Sequence, residues 1–176
     1  MRLSRRGFLI AAGGALAAPA LPARGAEGGE AEVLRGPAFG ASWTLVAPAG
    51  EGAAVVPALE EIVASVDGAM SPFRADSELS RFNRSPATGW LALSAATCAV
   101  IGEGLRVAAL TADAFNPTVG PLVARFGFGP IRQGAAGASA EIAVGDGVAR
   151  KARSDLSLDL CGIAKGHALD RMVAAC

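Results

Sequence analysis

The sequence predicts an α+β fold, and two observations carry that prediction. Strand-type alternation and helix-type three- and four-residue spacing occur in separated blocks along the 176 residues rather than in a regular βαβ repeat. Hydrophobic residues make up 52% of the chain and charged residues 18%, enough apolar material to bury a core and too little charge for intrinsic disorder.

The elements follow in order. Residues 1–26, MRLSRRGFLIAAGGALAAPALPARGA, read as a twin-arginine signal peptide. Ser4-Arg5-Arg6-Gly7-Phe8-Leu9 fits the export pattern, and the apolar run to Ala18 is short for a bilayer span. A membrane anchor is the alternative. No cysteine precedes Cys98, so there is no lipid-attachment motif. Residues 27–36 are expected to be a flexible lead-in, and residues 37–176 the folded portion. Ser42-Trp43-Thr44-Leu45-Val46 reads as a strand. Pro57 opens a helix with Leu59, Ile62, Val63, Val66 and Met70 on one face, and Glu60 and Glu61 are expected in its first turn. Ser94 is the expected cap of a second helix to about Leu110. Val144 to Val148 reads as a hairpin around Asp146-Gly147, and Leu156, Leu158 and Leu160 alternate as a half-buried strand. A third helix starts near Ile163 and is still running at Cys176, from which a missing C-terminal part is expected.

Composition excludes several functions. Lys+Arg 16 balances Asp+Glu 16, which argues against a polybasic nucleic-acid or lipid-surface binder. Three scattered cysteines do not make a disulfide scaffold, and the single histidine, His167, rules out a multi-histidine metal centre. A catalytic Cys161–His167 pair lacks a third group to orient it.

Three segments could carry chemistry. In Met70–Asn83, Phe73 can stack on a planar ligand and Arg74 can pair with phosphate. The competing reading is a surface loop in which Ser77 caps a short helix and Phe82 is core. In Ala114–Pro130, Asn116 precedes a proline and its amide offers a donor and an acceptor to a heterocycle edge; a tight turn is the alternative. In Leu158–Asp170, a Gly-flanked strand-to-helix junction with Lys165 offers free N–H groups to an anion, and Gly162 lets its carbonyl approach a cation. An ordinary junction is the alternative there.

Together, MSPFRADSELSRFN (70–83), AFNPTVGPLVARFGFGP (114–130) and LDLCGIAKGHALD (158–170) resemble the ApbE family of FAD:protein FMN transferases, as does PAFGASW (37–43). The resemblance implies an ApbE-like (T-fold-like) sheet packed with helices. It implies transfer of FMN from FAD to a Thr or Ser in a flavinylation motif of an acceptor protein, with Mg²⁺ and with release of AMP. It places Phe39, Ser71, Pro72, Phe73, Arg74, Asn116 and Lys165 at FAD and the Gly162 carbonyl at the metal, and it assigns no general base. The balanced charge leaves no nucleic-acid partner expected, and the export signal implies a periplasmic protein that meets the membrane in transit. The competing hypotheses are a flavin-binding protein without transfer activity and an inactive fragment.

Overall fold

The structure is a computed structural model that describes residues 30–176. The expected export signal, and residues 27–29 of the expected lead-in, lie outside the described residues. From Ala31 onward that lead-in is a strand. β1 (Ala31–Ala38) pairs antiparallel with β2 (Ala41–Pro48) through a full register from Ala31↔Pro48 to Ala38↔Ala41. Gly36, in the stretch expected to be flexible, makes room for an indole: a Cβ there would lie 2.5 Å from the Trp43 ring. Trp43 is buried, and Leu34 and Leu45 pack beside it against the core.

Phe39 and Gly40 join the two strands. Both have positive φ, 50° and 76°, as a two-residue hairpin turn of the primed type requires. Glycine adopts this conformation freely, whereas phenylalanine does so at a steric cost.

α1 (Val56–Met70) begins as expected at Pro57's first turn and buries Leu59, Ile62, Val66 and Met70. Each such side chain stabilises the fold by about 1.5–3 kcal/mol through apolar burial. Because the helix starts at Val56, Glu60 and Glu61 fall beyond its first turn, where the dipole acts weakly. α2 (Glu78–Arg84) is capped by the Ser77 side chain, and α3 (Ala95–Leu110) by that of Ser94. Phe82 is core. α4 (Gly120–Arg125) is a short helix with Pro121 in its first turn, and α5 (Ala164–Ala175) packs on α1.

A second sheet has the order β3–β5–β4, from β3 (Leu91–Ala92), β4 (Ile142–Gly145) and β5 (Val148–Lys151), all antiparallel. The Asp146-Gly147 link closes the β4–β5 hairpin, with Gly147 at φ 66°.

The expected strand over Leu156–Leu160 is absent. Leu156 makes one isolated bridge to Ala135, and the segment is otherwise irregular. All three leucines are fully buried, and Ser157 between them is buried too, so the segment is covered on both faces there. Side chains replace the missing ladder. The Asn83 amide Nδ2 donates to the Leu158 carbonyl, and Leu158 N–H donates to Asn83 Oδ1, each at 2.8 Å. Lys151 Nζ donates to the Leu156 carbonyl.

Candidate functional site

Four segments that are far apart in sequence meet around one cavity of about 580 Å³. The hairpin turn brings Phe39 and Gly40 to it. The end of α1 and the loop after it bring Met70, Ser71, Pro72 and Phe73. The entry to α5 brings Asp159, Cys161 and Lys165, and Val123 and Gly129 complete the lining. The lining is mostly apolar with a few polar groups, and its volume suits a small-molecule ligand. A second cavity of about 750 Å³, lined by Asn83, Arg84, Arg132 and Asp155 among others, shares Pro72 but is reached by little of the motif chemistry.

The loop at Ser71 is shaped by the chain around it. Asp67 accepts from the Ser71 N–H at the end of α1, and Ser71 is extended (φ −73°, ψ 121°) ahead of Pro72. Phe73 then stands 70% exposed, an aromatic face at the rim with nothing covering it.

The N-terminus of α5 faces the same cavity. Asp159 Oδ1 accepts the Cys161 N–H at 2.9 Å, and the Leu160 carbonyl takes the Ile163 and Ala164 N–H groups. The Lys165 and Gly166 N–H groups have no protein acceptor among the described residues. No side chain caps the helix. Unpaired N–H groups, the helix dipole and the Lys165 ammonium together favour an anion here.

Five of the eight residues singled out from sequence therefore line this cavity: Phe39, Ser71, Pro72, Phe73 and Lys165. The other three do not. Arg74 stands outside the lining, paired with Asp76 at 3.0 Å and with Asp67, itself a wall residue, at 3.4 Å, and its guanidinium holds the Asp76 carboxyl below the usual carboxylate range. Asn116 spends its amide inside the fold: Nδ2 donates to the Gly137 carbonyl, and Oδ1 accepts from Thr118 N–H. Gly162 lies next to the cavity rather than in its wall, and its backbone packs on Phe115, whose ring a Cβ would approach to 3.1 Å.

Two wall carboxylates, Asp67 and Asp159, are not among the residues singled out from sequence. Asp159 is the only carboxylate of the Leu158–Asp170 motif in the cavity wall, and an acidic residue two positions before a turn N–H is a signal for such a bond. Val123 and Gly129 left no signal, because loop folding alone brings them to the cavity.

Cys161 offers no thiolate. Desolvation, reinforced by the Asp159 carboxylate, pushes its thiol up to about 12, although the residue as a whole is exposed. His167 is pushed down, by burial first and then by Arg171. Among the described residues no group of three or more His, Cys, Asp or Glu is placed to hold a metal ion. Asp159 and the Gly162 carbonyl do not by themselves satisfy Mg²⁺, which demands near-octahedral oxygen coordination. No helix among the described residues is long and apolar enough to cross a membrane.

The fold and its cavity define an α+β protein with a cleft built at a helix N-terminus. The profile of the ApbE family matches residues 39–176, and the chain belongs to that family. The flavin transferase ApbE from Vibrio cholerae superposes with a TM-score of 0.74 at 28% identity, covering 82% of this chain and 52% of that one. The apo flavinyl transferase ApbE of Pseudomonas stutzeri superposes at 0.72 with 26% identity and the same two coverages. In sequence, the FAD:protein FMN transferase of Vibrio cholerae is 43% identical over 72 residues, 41% of this chain and 22% of that protein. The protein of that name from Escherichia coli K12 is 34% identical over 107 residues, 59% of this chain and 30% of the relative. The chain thus spans about half the length of the solved structures it matches.

Proposed function

We propose that the cavity binds FAD and that the activity it serves is transfer of FMN from FAD to a Thr or Ser hydroxyl of an acceptor protein. The observation that carries this reading is the convergence of Phe39, the Ser71–Phe73 loop and the α5 N-terminus with Lys165 on one cavity. The aromatic rings suit an isoalloxazine, and the helix N-terminus suits a diphosphate. In the transfer, the acceptor oxygen forms a bond to the FMN phosphorus. The bond from that phosphorus to the bridging oxygen breaks, AMP leaves with that oxygen, and the hydroxyl proton is lost. This chain's part is to bind and orient: Phe39 and Phe73 flank the ring, and Lys165 with the Lys165 and Gly166 N–H groups holds phosphate charge. The reaction as read from the resemblance uses Mg²⁺, for which Gly162 offers one carbonyl. The described residues do not complete a site for the ion. Residues 1–26 we read as a twin-arginine export signal and the protein as periplasmic; the N-terminal sequence of the exported chain tests that.

Titration of FAD fluorescence tests the binding reading. Saturable binding is expected, with an affinity reduced about tenfold in Lys165→Ala. No binding by the folded chain, or unchanged affinity in folded Lys165→Ala, would overturn it. AMP release on adding an acceptor peptide and Mg²⁺ would support transfer by this chain, and binding without release would leave it a flavin-binding protein.

A further inference from the structure

α2 joins the two walls of the cleft. At its N-terminal end the fully buried Ser77 donates its hydroxyl to the Ser71 carbonyl at 2.7 Å, and Ser80 donates to the same oxygen at 3.4 Å. Ser71 belongs to the wall that carries Pro72 and Phe73. At its C-terminal end Asn83 takes both backbone groups of Leu158, the residue before Asp159, which lines the cavity from the α5 side. From there the connections run on to α5. Asp159 Oδ1 accepts the Cys161 N–H, and the Leu160 carbonyl accepts from Ile163 and Ala164. Six residues of helix at 1.5 Å rise separate Ser77 from Asn83 by about 9 Å.

A third side chain braces the far end. Lys151 is fully buried, with its Nζ donating to the Asn83 carbonyl at 3.0 Å and to the Leu156 carbonyl at 3.2 Å, and it lies over the Phe82 ring at 5.6 Å. A buried ammonium costs free energy unless its donors are met. Here it meets two carbonyls that no strand partner serves, on the helix and on the segment the helix holds.

We infer that α2 is a strut that sets the separation of the cleft walls, with Ser77 and Asn83 as positioning residues at its two ends. Neither residue lines the cavity. They act through the Ser71 carbonyl and the Leu158 backbone, and so they fix where Phe73 stands relative to Lys165. The inference deepens the flavin reading of this cleft and rests on it.

The test is FAD titration of the full chain and of Ser77→Ala, Asn83→Ala and the double variant, each first shown to be folded by thermal unfolding. The visible circular dichroism of the bound flavin is recorded at saturation. A strut works as one unit, so each single variant is expected to raise the FAD Kd at least tenfold and to change the flavin band. The double variant is expected to be no worse than about the weaker-binding single. Unchanged Kd and band in folded Asn83→Ala would overturn the inference. So would losses that multiply in the double variant, since the walls would then be set independently. If Asn83→Ala does not fold, Asn83→Asp takes its place under the same criteria, because it keeps the acceptor for Leu158 N–H and loses only the donor. Failure of the parent chain to bind FAD would overturn the flavin reading and the strut's role with it, and is told apart because the parent itself fails.

Discussion

Alanine at position 116 separates a ligand contact from a framework contact. In the structure the Asn116 side chain donates to the Gly137 carbonyl at 2.9 Å and accepts from Thr118 N–H at 2.8 Å. Thr118 is fully buried, so Asn116→Ala leaves its amide without a partner. Leaving one buried donor unmet costs about 1–3 kcal/mol. The Gly137 carbonyl keeps the Thr118 hydroxyl at 2.6 Å, so the second loss is smaller, about 0.5–1.5 kcal/mol. A total near 2–3 kcal/mol, with a urea slope of about 2 kcal/mol/M, lowers the unfolding midpoint by about 1 M. The assay is urea unfolding followed by tryptophan fluorescence, with FAD titration of the folded variant alongside. The expected result is the lowered midpoint and an FAD affinity changed by less than about threefold. An unchanged midpoint with lost FAD affinity would refute the reasoning and return Asn116 to the ligand.

Three other substitutions or treatments have definite outcomes. Gly36→Ala places a methyl 2.5 Å from the Trp43 ring and is expected to cost about 1–3 kcal/mol in thermal unfolding, with the larger loss on the β1–β2 hairpin by hydrogen exchange. For Glu78, burial pushes the carboxyl up, but hydrogen bonds from Ser94 N–H, Thr97 and the Ser94 hydroxyl outweigh it and hold the group below its ordinary value of 4.5. A depressed folded value stabilises the fold above the unfolded value and is lost as pH falls through the folded one. Glu78→Gln is therefore expected to be less stable than the parent by about 2 kcal/mol at pH 7, with the gap closing below about pH 4.5; a gap independent of pH would contradict the assignment. The Cys161 thiol, pushed up to about 12, is expected to react with iodoacetamide at pH 8 roughly a hundredfold more slowly than an ordinary thiol, read by mass spectrometry of the peptide.

Much of the frame was legible because its signals are local. Pro57 and the spacing Leu59, Ile62, Val66, Met70 mark α1, and Ser77 and Ser94 mark two helix starts through their own hydroxyls. Asp146-Gly147 marks the β4–β5 turn. What the sequence hid depends on partners far along the chain. β1 reads as a polar, glycine-rich lead-in until Trp43 is seen to need Gly36. The leucines at 156, 158 and 160 alternate as a strand would, but their backbone is met by Asn83 and Lys151, side chains that no periodicity connects to them. The cleft was partly legible for the same reason. Ser71, Pro72, Phe73 and Lys165 stand at breaks in periodicity, and breaks are visible. That Arg74 would be taken by Asp67 and Asp76, and Asn116 by Gly137, depends on distances that spacing does not carry.

The most direct test of the central claim is a crystal structure of the chain grown with FAD. The account predicts the flavin ring in the 580 Å³ cavity between Phe39 and Phe73, with phosphate oxygens at the Lys165 ammonium and the N–H groups of Lys165 and Gly166. FAD seated instead in the 750 Å³ cavity beside Asn83 and Arg132, or crystals of the folded chain at saturating FAD with no flavin density, would contradict it.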